Sequence, residues 1–267
     1  MEEIREAIGI NKATTSGSLI FIEEHHQSDA NFVLQAIIAH CKEKNHMLNL
    51  VLFHNTFGHF HNVGMKLGYN LKKDLNNTVN VIEPLKVISK NIHLQNSDNI
   101  KENLEFDITN KSTHLVNQLV QIIKDECISK AKEMSEQKVY LIIDDLSHLF
   151  DVGLNVQDIW YFIRCIRSFI NDEPLLTLCV TSHVFDSSLE FCETNIIANV
   201  LKHSADLVIV VRPLETGQSR EISGKLAVYW KSESERLRFK WSEEMTYLYK
   251  LHDREVKLFA PGSSRIM

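Results

Sequence analysis

The sequence predicts an α/β fold in which helices cover both faces of a mostly parallel sheet. Helical segments alternate with short runs in which nearly every residue is apolar, and a strand that is apolar on both sides must be buried on both sides. After Arg212 the pattern changes to alternating polar and apolar positions at hairpin spacing, typical of an antiparallel meander. The 267 residues can enclose one large core. We therefore predict a single domain over 1–267 with an antiparallel C-terminal extension over 212–262.

Six apolar runs are predicted to form the parallel strands, because short apolar runs bounded by polar turns indicate buried strands. In chain order they are SLIFI at 18–22, LNLVLF at 48–53, TVNVI at 78–82, the strand within KVYLIIDDLSHLF at 138–150, LLTLCVT at 175–181 and LVIVV at 207–211. Four amphipathic runs are predicted as meander strands, namely KLAVYW, RLRFKW, MTYLYK and EVKLFA.

The spacing of apolar residues predicts the helices between these strands. NFVLQAIIAHC at 31–41 is apolar almost all round, whereas 115–131 and the segment after Asn155 each have one apolar face. Asn155 with Asp158 three residues later resembles a capping box. The segment 89–111 is polar and poor in aromatic residues, and we expect it to be a long, mobile surface loop.

Composition and charge narrow the classes of function. A net charge of -6 and a pI near 6.1 argue against a free-standing nucleic-acid-binding protein. The five cysteines form no CxxC pair, which fits reduced, buried thiols. No run approaches the roughly 20 apolar residues of a membrane helix, and the first residues, MEEIREAIG, do not resemble a targeting peptide. We expect a cytoplasmic protein, also present in the nucleus, without membrane association.

Two adjacent carboxylates, Asp144 and Asp145, follow the buried strand in KVYLIIDDLSHLF. In nucleotide-hydrolysing proteins such a strand end holds a hydrated magnesium ion. The first strand is then followed by GxxxxGK[ST], whose backbone NH groups and lysine hold the phosphates. Here the first strand continues as EEHHQSDANF, which contains no glycine and no lysine. The carboxylate pair is therefore predicted to be a degenerate nucleotide motif without its phosphate-binding half.

The segment after the first strand is predicted to fill the anion site with its own side chains. Ser28 or Asp29 lies where a helix N-cap belongs and would satisfy the free NH groups there. Glu23, Glu24 and Asp29 each carry a negative charge that would repel a nucleotide. For the adjacent aspartates we expect one to cap backbone NH groups and the other to form an ion pair. We predict no catalytic residue, no metal ion and no cofactor in this chain.

Basic residues of the C-terminal extension are further candidates. The segment 212–240 contains seven basic and four acidic residues, a modest excess of positive charge. Arg212 or Arg220 could reach a neighbouring subunit's phosphate as an arginine finger does, and Lys225 is a candidate contact in the same region. The alternative function is an active ATPase with an unorthodox nucleotide site, in which Asp144 binds magnesium and a neighbour supplies the arginine. Ordinary salt bridges are the simpler expectation for exposed arginines.

Histidines are frequent near the predicted ends of the first two strands. His25 and His26 follow the first strand, and His54, His59 and His61 follow the second. They suggest a zinc site at the mouth of these strands. Metal ligands usually come at tighter spacings with cysteine or acidic companions, however, so ordinary surface histidines are the favoured interpretation.

Four stretches together resemble subunit six of the Elongator complex in its animal version. They are VLFHNTFGHFHNVGMKLGYNL at 51–71, YLIIDDLSHLFDVGL at 140–154, LAVYW at 226–230 and YLYKLHDREVKLFAPG at 247–262. They occur in the family's order and span most of the chain. The resemblance rests on their combination with the total length and the degenerate first loop, because no single stretch is diagnostic.

The resemblance implies a RecA-like fold and membership of an accessory ring, a dimer of heterotrimers built with Elongator subunits four and five. The ring accompanies the Elongator catalytic subcomplex, which modifies the wobble uridine of certain tRNAs to carboxymethyl-type uridines. Rings of this family are associated with tRNA binding and with ATP hydrolysis that promotes tRNA release.

Only Asp144 and Asp145 can be carried over from the family, as a degenerate magnesium motif, because the loop 23–29 does not match a nucleotide-binding pattern. The expected role is therefore that of a non-catalytic structural subunit. We expect tRNA to be bound by the assembled ring, with Arg212, Arg220 and Lys225 as candidate contacts to tRNA or to a neighbouring subunit.

Overall fold

Strands and helices alternate along the first two thirds of the chain in the computed structural model, which describes residues 1–86, 112–129, 137–185, 192–215, 217 and 219–260. The strands are β1 Leu19–His25, β2 Met47–Leu52, β3 Val79–Ile82, β4 Val139–Asp144, β5 Leu176–Val184, β6 Leu207–Arg212, β7 Gly224–Trp230, β8 Met245–Leu251 and β9 Val256–Phe259. The helices are α1 Glu2–Ile8, α2 Asn31–Glu43, α3 Phe57–Lys66, α4 Ser112–Ile123, α5 Val156–Asp172, α6 Glu193–Ser204 and α7 Glu233–Phe239. The predicted loop 89–111 lies outside the described residues.

The described strands join one nine-stranded sheet in the order β3-β2-β4-β5-β1-β6-β7-β8-β9. Strands β1 to β6 run parallel to one another. Strands β7, β8 and β9 follow as an antiparallel meander. The predicted fold class, a mostly parallel sheet with an antiparallel C-terminal meander, is confirmed.

Each face of the sheet contributes to its own hydrophobic core. Leu19 and Phe21 of β1 pack in the layer that contains the buried faces of α4, α5 and α6. Ile20 and Ile22 of the same strand pack in the layer that contains α1 and α2. Successive strand residues point to opposite faces, so the uninterrupted apolar run of β1 supplies both cores. Full burial of each such side chain stabilises the fold by about 1.5–3 kcal/mol.

One predicted meander strand is wrong, because RLRFKW lies largely within the helix α7. The Ser232 hydroxyl accepts a hydrogen bond from the backbone NH of Glu235, which caps the first turn. Acidic residues occupy that first turn and Arg236 and Arg238 the last, and both placements complement the helix dipole. These local signals outweigh the alternating pattern that predicted a strand.

The capping box at the start of α5 is confirmed. The Asn155 side chain accepts hydrogen bonds from the NH groups of Gln157 and Asp158, at 2.8 and 3.0 Å, and the Asp158 carboxylate accepts the Asn155 NH at 3.2 Å. The helix predicted over 115–131 is α-helical only to Ile123 and continues as a π-helical turn over Lys124–Ser129. Within the described ranges, none of the helices combines the length and apolarity needed to cross a membrane.

Candidate functional site

The candidate site lies where β1, β4 and β5 end, which we call the carboxyl edge. Strand β5 lies between the other two strands, and Glu24 of β1 is in register with His183 of β5. In open α/β sheets, ligands bind in the crevice outside the carboxyl ends of the strands. Asp144 is the last residue of β4, so the fold brings it and Asp145 to the same edge as the loop after β1.

Asp144 is buried, with 2% of its surface exposed. Its Oδ2 atom accepts a hydrogen bond of 2.9 Å from the backbone NH of Asn55, in the connection after β2. Burial raises the pKa of Asp144 to about 7, and the negative charges of Asp145 and Glu24 act in the same direction. The carboxyl group is therefore only partly ionised near neutral pH.

Asp145 is held by several hydrogen bonds in a backbone conformation with φ +62° that few non-glycine residues adopt. Its Oδ1 atom accepts the NH and the hydroxyl of Ser147, at 3.0 and 2.6 Å. Its Oδ2 atom lies 2.5 Å from Nδ1 of His183. Burial opposes ionisation, but the hydrogen bond and positive charge of His183, together with the hydrogen bonds from Ser147, outweigh it and hold the pKa of Asp145 below its usual range.

His183 is the positive partner at this edge. One ring nitrogen contacts Asp145, and Nε2 lies 3.2 Å from a carboxylate oxygen of Glu24. Hydrogen bonds to Asp145 and Glu24 raise the pKa of His183 to about 10, although burial acts against this. The imidazolium therefore links the end of β1 to the residue after β4, and the two carboxylates are engaged with the protein itself.

Polar side chains of the loop between β1 and α2 form hydrogen bonds to backbone groups of the protein. The Ser28 hydroxyl donates to the carbonyls of His25 and Val211, at 2.6 and 3.0 Å, so it does not cap the helix. Asp29 accepts the NH of Asn31 at 2.8 Å, while Ala30 occupies the N-cap position. The N-cap predicted at Ser28 or Asp29 is therefore wrong, because neither residue occupies that position. The carboxylate of Asp29 satisfies a free NH group at the start of α2.

Four side chains form a second ion-pair group at the end of β1, the Glu23 cluster. Glu23 is 4% exposed. Its two carboxylate oxygens lie 2.7 Å from Nε2 of His25 and 2.8 Å from Nζ of Lys202, a residue of α6. Arg212 completes the cluster, with its Nη2 atom 3.6 Å from the same oxygen as His25. The cluster compensates a carboxylate that would otherwise be buried without a partner.

The three candidate basic residues differ in their surroundings. Arg212 ends β6 and contacts Glu23 and His25, so its guanidinium points to the chain's own carboxylate. Lys225 of β7 is in register with Arg212 and is half-buried. Arg220 is exposed between these strands, and its carbonyl accepts a hydrogen bond from Lys250. The structure thus brings Arg212 and Lys225 together on neighbouring strands.

Because Glu23 is ionised and paired in the Glu23 cluster, we expect the free energy of unfolding to depend on pH. Burial alone would raise the pKa of Glu23, but hydrogen bonds from His25 and Lys202 lower it from 4.5 to about 2. A lowered carboxyl pKa stabilises the folded state above pH 4.5, and this contribution is lost as the pH falls toward 2. At neutral pH it amounts to no more than about 3 kcal/mol, because Lys202 and Arg212 are partly exposed to solvent.

Chemical denaturation of the wild type and of Glu23→Gln between pH 7 and pH 3 measures this contribution. We expect the wild type to be the more stable at pH 7 and the difference between the two proteins to shrink steadily below pH 4.5. A difference that stays constant over this range would show that the charge of Glu23 does not stabilise the fold.

The histidines assemble differently from the prediction. Among the described residues, the one group of potential metal ligands with donor atoms within 4.8 Å of one another combines His54 with Asp145 and His148. His25 belongs to the Glu23 cluster, and His61 is buried on α3, stacked against Phe57. The sequence pattern predicted neither His148 nor His183 as a neighbour of the aspartate pair. His148 follows the carboxylate pair by three residues, but its contact with His54 spans 94 positions and depends on the fold.

Comparison with known proteins identifies the family. Residues 2–253 match the family described as Elongation complex protein 6. Elongator complex protein 6 of Drosophila melanogaster is 28% identical over 259 residues, covering 96% of this chain and 95% of the relative. Elongator complex protein 6 of Homo sapiens is 25% identical over 259 residues, with 89% and 88% covered.

Solved structures with little sequence identity share the fold. An uncharacterized protein from Pyrococcus horikoshii, crystallised with an unknown peptide, superimposes with a TM-score of 0.62 at 13% identity and 98% coverage of both chains. A KaiC-like protein from the same organism gives a TM-score of 0.53 at 11% identity, covering 91% of this chain and 90% of that one. The chain therefore has a RecA-like fold and belongs to the Elongation complex protein 6 family.

Proposed function

We propose that the chain is a non-catalytic structural subunit of an Elongator accessory ring. In this role it assembles with Elongator subunits four and five and supports tRNA binding for wobble-uridine modification by the catalytic subcomplex. One observation supports the absence of catalysis. At the carboxyl edge, the side chains that would bind a nucleotide and its magnesium ion are hydrogen-bonded or ion-paired to other groups of the protein. Membership of a family whose relatives are named as Elongator subunits supports the assembly part.

The loop after β1 offers little to a phosphate. A phosphate cradle needs glycines that let backbone NH groups approach the anion, together with a lysine. The segment EEHHQSDANF contains neither. Asp29 accepts the NH of Asn31 at the start of α2, and its negative charge lies where a helix N-terminus would otherwise attract an anion. These features favour a closed, nucleotide-free loop.

The carboxylates are equally unsuited to a hydrated magnesium ion. Asp144 is buried and only partly ionised near neutral pH, and its Oδ2 accepts the NH of Asn55. Asp145 is paired with His183. Magnesium retains several waters and is bound through ionised carboxylates together with substrate phosphates. A magnesium ion here would require the buried Asp144 carboxyl to ionise and to give up its hydrogen bond from the NH of Asn55.

Any tRNA contact is expected to come from the assembled ring. The chain carries a net charge of -6, and Arg212 already pairs with Glu23. Arg220 and Lys225 are the basic candidates that could add to a surface shared with neighbouring subunits. Such binding should weaken steeply with salt, because phosphate contacts release counterions.

Nucleotide binding by the purified chain tests the non-catalytic part. We expect no saturable binding of ATP with magnesium by calorimetry, and no difference between the wild type and Asp144→Ala or Asp145→Ala. Saturable binding that both substitutions abolish would instead favour the alternative, an active RecA-like ATPase subunit with an unorthodox site that drives tRNA release. Circular dichroism of each variant establishes that it is folded.

A further inference from the structure

The contact between His54 and His148 brings a nitrogen atom of each imidazole ring close together. His54 follows β2, and His148 lies in the short helical turn Leu146–Leu149 after β4. Nδ1 of His54 and Nε2 of His148 are 2.6 Å apart. The ring planes differ by only 20° and the centroids are 4.7 Å apart, so the two rings are stacked with an offset. Two nitrogen atoms that can act as metal ligands therefore lie side by side.

A carboxylate on the far side of the ring orients His148. Its Nδ1 atom lies 2.7 Å from Oδ2 of Asp151, so this nitrogen donates its hydrogen outward. In the neutral ring the lone pair then resides on Nε2, which faces His54. Histidines that bind metals almost always donate their other NH to a carboxylate, a carbonyl or water in this way. Asp151 thus holds His148 in the tautomer that a metal requires.

Asp145 supplies an anionic oxygen next to these nitrogens. Its Oδ2 atom lies 3.8 Å from Nε2 of His148. The same oxygen accepts a hydrogen bond from Nδ1 of His183 at 2.5 Å, which orients the carboxylate and leaves the second lone pair of Oδ2 for a metal ion. His183 is not a fourth ligand, because both of its ring nitrogens are engaged by carboxylates. His54 is exposed, which leaves the group open to solvent on one side.

We propose that Nδ1 of His54, Nε2 of His148 and Oδ2 of Asp145 form a binding site for a divalent transition metal ion of the Zn²⁺ type. Two imidazoles and one carboxylate are a ligand set that zinc uses in proteins, and nitrogen donors disfavour Mg²⁺. Zinc–nitrogen bonds of about 2.0–2.1 Å place tetrahedral ligands about 3.3 Å apart. The two rings would therefore separate by less than an ångström, and Asp145 would approach slightly. The fourth position remains for water or for a side chain of another subunit.

This site goes beyond the proposed function and does not depend on it. The ion would bridge the connection after β2 to the turn after β4, between residues that are 94 positions apart. A ligand that binds only the folded state stabilises that state. Zinc should therefore raise the melting temperature of the chain.

The test uses the purified full-length chain, stripped of metal by a chelator and then titrated with ZnSO₄ in a calorimeter. We expect one zinc ion per chain and a melting temperature that rises with zinc. In a parallel sample, Co²⁺ should give the intense visible absorption of a tetrahedral site. His54→Ala and His148→Ala should each lower the zinc affinity at least tenfold, and Asp151→Asn should lower it by roughly tenfold through loss of orientation. His59→Ala, an exposed histidine of α3, is the matched control and should bind as the wild type does.

His54 is exposed, so His54→Ala leaves the core unchanged and remains informative if another variant fails to fold. Absence of saturable zinc binding by the wild type would overturn the site. Binding that is equally tight in the wild type and in His54→Ala would also overturn it, because other histidines would then be responsible. In either case the close approach of the two rings is an ordinary NH to N hydrogen bond.

Discussion

Asp145→Ala is expected to lower the free energy of unfolding by about 3–5 kcal/mol, the range for removing one partner of a buried ion pair. The substitution leaves His183 with Glu24 as its carboxylate partner and removes the acceptor of the Ser147 NH and hydroxyl. It also places alanine at a φ of +62°, a conformation that aspartate and asparagine tolerate better. The substitution thus removes an ion pair and a hydrogen-bond acceptor and also strains the backbone.

Urea denaturation at pH 7 in the presence of a chelator measures this effect without any contribution from metal. Asp145→Asn separates its causes, because asparagine retains an acceptor for Ser147 and tolerates the backbone conformation but lacks the charge. We expect Asp145→Asn to lose less stability than Asp145→Ala. Asp253→Ala, at an exposed loop position, is the control and should change stability by less than about 0.5 kcal/mol. A loss for Asp145→Ala as small as that of the control would show that the edge contacts do not stabilise the fold.

Phe162→Ala should destabilise the chain by a similar amount, about 3–5 kcal/mol, because it empties a fully buried aromatic position. Phe162 lies on the buried face of α5 and belongs to the core that this helix shares with β5. The loss combines the transfer free energy of the ring with the cavity that remains.

The neighbouring residue provides the matched control. Tyr161 lies on the same helix and is 45% exposed, so Tyr161→Ala should change the free energy of unfolding of the isolated chain by less than about 0.5 kcal/mol. Thermal or urea unfolding of both variants measures the contrast. Equal losses for the two substitutions would contradict the packing of α5 described above.

The parallel part of the fold was predictable because burial on both faces leaves a strong signal. Strands such as β1 and β6 must be apolar at every position, and such runs stand out in the sequence. The start of α5 was predictable because a capping box is local, with all of its contacts between Asn155 and Asp158. The helix α7 was mistaken for a strand because seven residues with mixed polarity fit both periods, and the cap at Ser232 decided between them.

The chemistry of the carboxyl edge was only half predictable. The missing glycines and lysine are visible in the sequence, and so is the aspartate pair. The partners of that pair are not visible, because His183 lies 38 positions from Asp145 and reaches it only through the pairing of β5 with β4. Lys202 likewise reaches Glu23 across 179 positions. Ion pairs between distant segments have no sequence period, so they become apparent only when the fold is known.

The contact between His54 and His148 illustrates the same limit. The sequence drew attention to the histidines near the second strand, but it grouped His54 with His59 and His61 because they are close in the chain. The fold instead pairs His54 with a residue from the turn after β4. Residues that follow adjacent parallel strands meet at one edge of the sheet, and β2 and β4 are adjacent although they are far apart in sequence.

Coexpression with subunits four and five from the same genome, followed by native mass measurement, tests the central claim most directly. The proposed function predicts a stoichiometric assembly with the mass of two copies of each subunit, formed by the wild type and equally by Asp144→Ala. Recovery of the chain alone as a monomer, with no stoichiometric complex under conditions where all three chains are folded, would contradict it.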